Sequence, residues 1–490
     1  MATVTLHSNS SGRAAELTLL AFAIAIGFGG FSLIQITMVG TWSPAYWWYL
    51  GGSVLAALAV HLVMRHFAPY ADPVLLPSAV ALNGLGLAMI HRLDLSYLAD
   101  GTISSPVLIR QVITSVAGVI LMLLVVALLR DHRSIRRFTY TAMVVAFVLL
   151  LLPALPIIGQ EINGARIWIS LGFTTFQPSE LAKIALAIFF AGYLVSRRDN
   201  LSLGGKQILG LRLPRLRDLG PLLLVWGLSL AVLVLQRDLG TSLLLFGLFV
   251  AMLYVATNQV SWLAIGFVLF APAAYVASKL FSHVGDRFDI WIHAMDPEIY
   301  NRNPGGSWQL VQGLFGMANG GLMGAGWGAG YPQLVTYANS DFVMASLAEE
   351  LGLTGALAIL LIYLILVERG MRVAIGVRDG FGKLLAAGLA FTIALQVFVV
   401  VGGLTRVIPL TGLTLPFIAA GGSSLISNWI ILGILIRISN SARAPSRPAE
   451  PISTAEIDSV LAASATSAAT PVHGVPRARR RRLETSGGTR

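Results

Sequence analysis

The sequence predicts an all-α polytopic membrane protein with about twelve transmembrane helices and one long loop on its outer side. Three observations carry this. The chain of 490 residues is 56% hydrophobic and only 12% charged, its mean hydropathy is +0.76, and apolar runs of about twenty residues, enough to cross roughly 30 Å of hydrocarbon as helix, recur along it. Strand alternation is absent, which excludes a β-barrel, and the composition excludes an ordinary soluble enzyme.

The runs fall at residues 15–37, 45–65, 74–92, 111–130, 138–158, 178–196, 218–236, 241–256, 260–281, 342–367, 384–404 and 415–437. The first, AELTLLAFAIAIGFGGFSLIQIT, is too long for a signal-peptide core and lacks a cleavage site, so it reads as a retained helix. Basic residues gather in RDHRSIRR, between Arg197 and Arg217, and at Arg369, Arg372, Arg378 and Lys383. The positive-inside rule puts these connections in the cytoplasm. Both termini then lie inside a cytoplasmic (plasma) membrane, and the connections 159–177, 236–240, 282–341 and 405–414 lie outside it. From about Asn440 the chain is rich in Ala, Ser, Pro and Thr and ends in RARRRRLETSGGTR, a composition that reads as a disordered tail. Its arginines fit a solvated, topology-fixing segment first, then anionic membrane lipids, and nucleic acid last.

The chain has no cysteine, so disulfides and thiolate chemistry are excluded. A P-loop and a dinucleotide fingerprint are also missing. Chemistry must come from the outward segments, four of which are unlike lipid-exposed helix ends. In NGARIWISLGFTTFQPSELAKIA, Pro178 and Ser179 suit a helix start, and Glu180 and Lys183 share one helical face. That pair reads equally as a self-neutralising staple or as a cavity wall presenting a lysine to an anion. In LQRDLGTS, Arg237 and Asp238 occupy a tight turn whose following amides, at Gly240 and Thr241, could meet a phosphate. The loop 282–341 is long enough to suggest function, and its SWQLVQGLFGMA stretch, with Gln309, is amphipathic. In TRVIPLTGLTLPFIAAGGSSLISNWIILG, Pro409, Pro416 and Gly421–Gly422 break a membrane segment, which requires protein or a water-filled cavity around the freed backbone.

Asp341, Glu349 and Glu350 open the tenth run. Carboxylates at membrane depth cost a few kcal/mol or more and usually mark a site, a polar cavity or a partner. Asp341 follows Asn339 and Ser340, either able to cap, and an acidic residue in a first helical turn needs no catalysis to explain it.

FQPSELAKIA, QRDLGTSLLL, GGLMGAGWG, SDFVMASLAEELGLTG and GLTLPFIAAGGSSLISN resemble, in order and spacing, the motifs of the SEDS family (shape, elongation, division and sporulation), polytopic glycosyltransferases that polymerise lipid II into peptidoglycan strands. The resemblance covers about residues 75–437. It implies a ten-helix core, so residues 15–70 look like an added hairpin after a cytoplasmic N-terminus of residues 1–14. Residues 71–439 are then the membrane domain with its extracytoplasmic loop 282–341, and 440–490 the basic tail. Such additions are similar to those of actinobacterial members, and the elongation type is preferred over the division type. The family's essential aspartate matches Asp341. Its QPSE-motif pair matches Glu180 and Lys183, its GAR element Arg166, and its GGSS element Ser423 and Ser424. Asp238 and Gln309 join these as substrate-binding candidates. The usual QPDLGT reads QRDLGT here, with Arg237 in place of proline, and Ala419–Ala420 replace an aromatic before Gly421.

The chemistry implied is inversion at an anomeric carbon. A GlcNAc 4-hydroxyl attacks the MurNAc carbon of a polyprenyl-pyrophosphate-linked strand, Asp341 takes the hydroxyl proton, and the leaving pyrophosphate is stabilised by Arg166, Lys183, Arg237 or a divalent cation such as magnesium or manganese. Beyond lipid II, the implied partner is a class B penicillin-binding protein transpeptidase. The competing reading is a lipid II flippase or another polytopic transporter, which also uses broken helices and buried charges.

Overall fold

The computed structural model describes residues 11–445 apart from 43–44, 163–164, 173, 204–205, 209–210, 214–215 and 304. The tail expected over 440–490 lies outside the described residues from 446 onward. Its expected start is displaced, because the last helix continues to Arg443.

Helices stand at each apolar run: α1 (Ser11–Ile34, continued by a π-helical turn Gln35–Val39), α2 (Ala45–Phe67), α3 (Leu75–Ala99), α4 (Val107–Leu128), α5 (Thr139–Leu151), α6 (Ser179–Leu203), α7 (Leu216–Leu235), α8 (Leu239–Thr257) and α9 (Ser261–Leu280). The long loop folds as α10 (Ser282–Ile292), α11 (Pro297–Tyr300) and α12 (Trp308–Gly320), and is followed by α13 (Val343–Gly376), α14 (Gly380–Leu404) and α15 (Gly422–Arg443). Among the described residues ten helices are long and apolar enough to cross a membrane; α3 and α7 are long but stand outside that set. This is a multi-pass helical membrane protein. Two small sheets interrupt the all-helical pattern: an antiparallel meander of β1 (Gly159–Ile162), β2 (Ala165–Ser170) and β3 (Thr175–Phe176), and a hairpin of β4 (Lys206–Ile208) with β5 (Leu211–Leu213).

The buried centre is built by α6, α14 and α15, whereas α9 buries few of its residues, as expected of a helix facing lipid. Trp429 of α15 is buried, packs edge-on against Phe417 at 5.4 Å, and faces Gly118 of α4, where a Cβ would fall 2.5 Å from the indole. Only glycine lets these two helices close to that distance.

At the end away from Asp341, charged side chains bind helix ends together. Arg437 of α15 donates to the carbonyls of Phe67, Leu129 and Arg130, acceptors that helix C-termini leave unpaired. The fully buried Asp72 carboxylate pairs with Arg443 and, at 3.7 Å, with Arg369. Arg13 and His61 close on Glu16, joining α1 to α2. His132 Nε2 lies 2.7 Å from Asp379 Oδ2, fastening the α4–α5 connection to the start of α14.

The apolar run at 342–367 reads as one helix, but α13 is broken. Gly352 has φ 71° and ψ −174°, a conformation essentially confined to glycine, and a Cβ there would meet Gly324 N at 2.3 Å. The backbone groups released by the break are met by the glycine-rich loop inserted beside it. Ala325 and Gly326 N–H donate to the Glu349 and Glu350 carbonyls (3.0 and 2.9 Å), and Leu353 and Thr354 N–H donate to the Gly321 and Leu322 carbonyls (2.9 and 3.1 Å). A helix can break at membrane depth only where such partners exist. The glycines of that loop permit this backbone-to-backbone approach.

Candidate functional site

Asp341 lies in the turn before α13. That helix begins after Phe342 with no side-chain cap, so Asp341 does not serve as the cap its position allows. Its carboxylate instead accepts from the Ser340 hydroxyl at 2.9 Å. Asp341 keeps part of its surface accessible while closely surrounded by protein. Burial pushes the carboxyl above its ordinary range, against the opposing pull of Ser340, its own amide and Arg287.

Arg287, on α10, is the residue that sequence reasoning missed. Its guanidinium donates to the Leu410 carbonyl at 2.6 Å. Burial lowers its pKa, while Asp238 and Asp341 pull it back up, so one cation stands in the field of both acids. Arg406 donates to the Trp291 carbonyl at 2.8 and 3.1 Å and Trp291 Nε1 donates back to the Arg406 carbonyl at 2.9 Å, so α10 is stitched onto the 405–414 segment that positions Arg287. The only sequence signal was a lone arginine in the polar stretch SHVGDRFDIW, without periodicity or motif.

Asp238 is buried and caps α8, accepting from Thr241 N at 2.9 Å, and Gln177 Nε2 donates to it at 3.3 Å. The Thr241 amide expected to face a phosphate is therefore occupied by this carboxylate. Burial raises the Asp238 carboxyl, which the Thr241 bonds lower and the nearby Glu180 raises further. His283 is held below the ordinary imidazole range by burial and by Arg237 and Arg287, so three basic side chains share this end of the protein.

Glu180 and Lys183 form a buried ion pair on α6. Lys183 also donates to Gln396 Oε1 at 3.1 Å, Gln396 donates to the Thr414 carbonyl at 2.8 Å, and the Ser427 hydroxyl binds the Glu180 carbonyl at 2.8 Å. Lys183 is 1% exposed, an arrangement that staples α6, α14 and α15 together. Ser179 does not cap α6, since its buried hydroxyl finds no partner among the described residues. Ser423 and Ser424 are buried at the start of α15, where Asn428 donates to the Ser424 carbonyl at 2.8 Å. Gln309 donates to the Thr336 carbonyl at 2.7 Å, tying α12 to the approach to Asp341. Arg166 is exposed on β2. The structure thus groups Asp238, Arg287 and Asp341 and relates Glu180 to them electrostatically.

Glu349 and Glu350 serve the glycine-rich loop. Glu349 accepts from Tyr331 N at 2.7 Å; Glu350 accepts from Gly328 N at 3.0 Å and pairs with Arg92 at 2.6 Å. Arg92 in turn binds the Gly330 carbonyl. Their carboxylates shape the loop leading to Asp341.

Backbone strain gathers around the same place. Arg237, Tyr337, Arg406 and Phe417 have φ of 61°, 58°, 59° and 65°, rare for bulky residues. A proline, fixed near −65°, cannot adopt the conformation of Arg237, so the turn before α8 differs from one built on QPDLGT. Among the described residues no group of three or more acids and imidazoles is placed to hold a metal, and a guanidinium already stands in the field of the two nearest acids.

The sequence profile described as "Cell cycle protein", covering FtsW, RodA and SpoVE, matches residues 73–444, beginning after α2. The chain is 47% identical over 441 residues to a protein of Mycobacterium tuberculosis named "Peptidoglycan glycosyltransferase RodA", covering 89% of this chain and 92% of that one. It is 44% identical over 443 residues to the protein of the same name in Mycobacterium leprae, with the same coverage. A solved structure titled "Structural coordination of polymerization and crosslinking by a peptidoglycan synthase complex" superposes with a TM-score of 0.59 at 27% identity, over 76% of this chain and 98% of that chain. With its ordered motifs, helical architecture and these relatives, the chain belongs to the FtsW/RodA/SpoVE family.

Proposed function

We propose that the protein is a peptidoglycan glycosyltransferase that polymerises lipid II at the outer face of the cytoplasmic membrane, with both termini inside and Asp341 outside. The observation that carries the mechanism is the Asp341 carboxylate, partly accessible yet held above its ordinary pKa beside Arg287. A base with a raised pKa takes a proton from a hydroxyl more readily near neutral pH. As Asp341 removes the proton from the GlcNAc 4-hydroxyl, the oxygen bonds to the MurNAc anomeric carbon with inversion. The bond from that carbon to the pyrophosphate oxygen breaks, and the pyrophosphate leaves with its electron pair.

Arg287, with Arg237 beside His283, supplies positive charge where the pyrophosphate develops negative charge. Glu180 and Lys183 are positioning residues in this reading, since the ammonium is already engaged. A class B penicillin-binding protein is the natural partner, because strands made here need crosslinking; the similar solved structure is titled for a complex that coordinates those two activities. Purified chain incubated with lipid II in detergent tests the proposal: strands from the wild type and none from Asp341→Asn are expected, whereas a flippase makes none from either.

A further inference from the structure

We propose that α1, which precedes the part of the chain matched by the family profile, is a positioning element for the reaction: Gly30 and Thr37 at its outer end seat Trp327 and Gly328, and through them the loop that holds the head of α13 and Asp341. The inference rests on the polymerase reading above. The helix is fixed before it reaches the loop. Gly27 crosses Gly84 of α3 so closely that a Cβ on Gly27 would lie 2.7 Å from the Gly84 Cα, an approach that small residues allow between membrane helices. One turn later Phe31 stacks on His91 of α3 at 4.2 Å and 19°, and Gln35 Oε1 lies 3.3 Å from His91 Nε2. Arg13 anchors the inner end on the Ala71 carbonyl.

The outer end then meets the glycine-rich loop, and each side makes room for the other. A Cβ on Gly30 would fall 3.1 Å from Cζ2 of the Trp327 indole and 3.4 Å from the Ala88 Cβ of α3. Gly328 has φ 81°, and a Cβ there would fall 2.5 Å from Thr37 Oγ1 and 2.9 Å from Met38 Cγ. The Thr37 hydroxyl reaches the Trp327 carbonyl at 2.8 Å and the Leu33 carbonyl of its own helix at 2.7 Å. On the far side of the loop, Gly326 N–H donates to the Glu350 carbonyl at 2.9 Å and Gly328 N–H to Glu350 Oε2 at 3.0 Å. Gly328 therefore touches α1 on one side and α13 on the other. Glu350 lies above the break at Gly352, in the helical segment that begins just after Asp341. Because the break separates that segment from the shaft below, lateral contacts set its position, and α1 is the outer wall of those contacts. A misplacement of about 1 Å at a reacting group costs up to about a hundredfold in rate.

Steady-state lipid II polymerisation by the full purified chain in detergent tests this with two neighbouring glycines. Leucine improves helix propensity alike at Gly29 and Gly30, but a Cβ on Gly29 meets nothing within 4 Å whereas one on Gly30 meets Trp327. Gly30→Leu is expected to lower kcat about tenfold, with KM for lipid II within about twofold of the wild type. Gly29→Leu is expected to leave both constants unchanged. Thr37→Ala should lower kcat in the same sense at an unchanged melting temperature, and Thr37→Ser, which keeps the hydroxyl, should restore it. Equal kcat in the two glycine variants overturns the positioning role, as does wild-type kcat in Thr37→Ala or a change confined to KM. If Gly30→Leu does not fold, the comparison of Thr37→Ala with Thr37→Ser decides. If the wild-type chain itself makes no strands, the polymerase reading falls and the positioning role with it, an outcome distinct from strands made equally by both glycine variants.

Discussion

Arg287 is anchored on the Leu410 carbonyl at 2.6 Å and holds its charge in the field of Asp341. Burial pushes the aspartate's pKa up and the arginine opposes that rise. A general base must be ionised, so activity falls as pH drops through the folded-state pKa of Asp341. Without the arginine that pKa climbs further. Arg287→Gln is therefore expected to move the acidic limb of the pH–rate profile to higher pH and to lower the plateau about a hundredfold, the usual cost of losing one charge-stabilising group. An unmoved limb assigns the arginine a purely structural role.

Asp341→Asn is expected to lower the rate by roughly two to four orders of magnitude without loss of fold. A carboxyl whose folded pKa is raised binds its proton more tightly in the native state, so stability falls as pH rises from the unfolded value of about 3.9 through the folded one. The amide escapes that penalty. Its melting temperature should match or exceed the wild type at neutral pH and converge with it in acid, which a thermal scan across pH reads directly.

Lys183→Met leaves Glu180 buried without its cation, and breaking a buried pair in this way costs about 3–5 kcal/mol. Adding Glu180→Gln should restore most of the loss, giving a large coupling in a double-mutant cycle on melting temperature. Additive losses mean the two side chains are not the pair that staples α6 to α14. Strand synthesis by the stable double variant separates a packing role from any catalytic one.

Asp379 tests the opposite end of the protein. Burial alone would raise its carboxyl, but the Gly382 amide, His132 and Arg133 together bring it below the ordinary range. A depressed folded pKa contributes stability above the unfolded value of about 3.9, and that contribution disappears as pH falls through the folded value. Asp379→Asn is expected to melt earlier than the wild type at pH 7, with the gap closing below about pH 4. A gap that persists in acid assigns the residue's effect to its cap on α14 rather than to its charge.

Much of this architecture was legible because lipid imposes length and apolarity on every span, and the runs at 15–37, 241–256 and 384–404 coincide with α1, α8 and α14. Asp341 could be singled out because an acid at a membrane entrance is costly. Arg287 could not, because its importance arises from Leu410, more than a hundred residues away, and from acids on two other segments. Gln396 was hidden in the same way, as one amide in an apolar run that gains meaning only opposite Lys183. The break in α13 was missed because an isolated glycine is tolerated in a helical pattern, and the groups that make the break possible lie about thirty residues upstream. Likewise the Thr241 amide looked available to a ligand until Asp238 was seen to turn back onto it.

The interruption at Gly352 also bears on how the protein sits in membranes of different thickness. A continuous helix of 34 residues would measure about 51 Å, far beyond a hydrocarbon layer of roughly 30 Å, whereas the residues from 353 to 376 measure about 36 Å. That lower shaft is long enough to lean in a thin bilayer and stand upright in a thick one. The 321–326 backbone clasps both sides of that break, through the Glu349 and Glu350 carbonyls above and the Leu353 and Thr354 amides below, so the shaft and the head that carries Asp341 meet at a loop-braced bend rather than along one continuous axis. A lean of the shaft imposed by bilayer thickness therefore meets that braced bend before it meets the turn that carries Asp341.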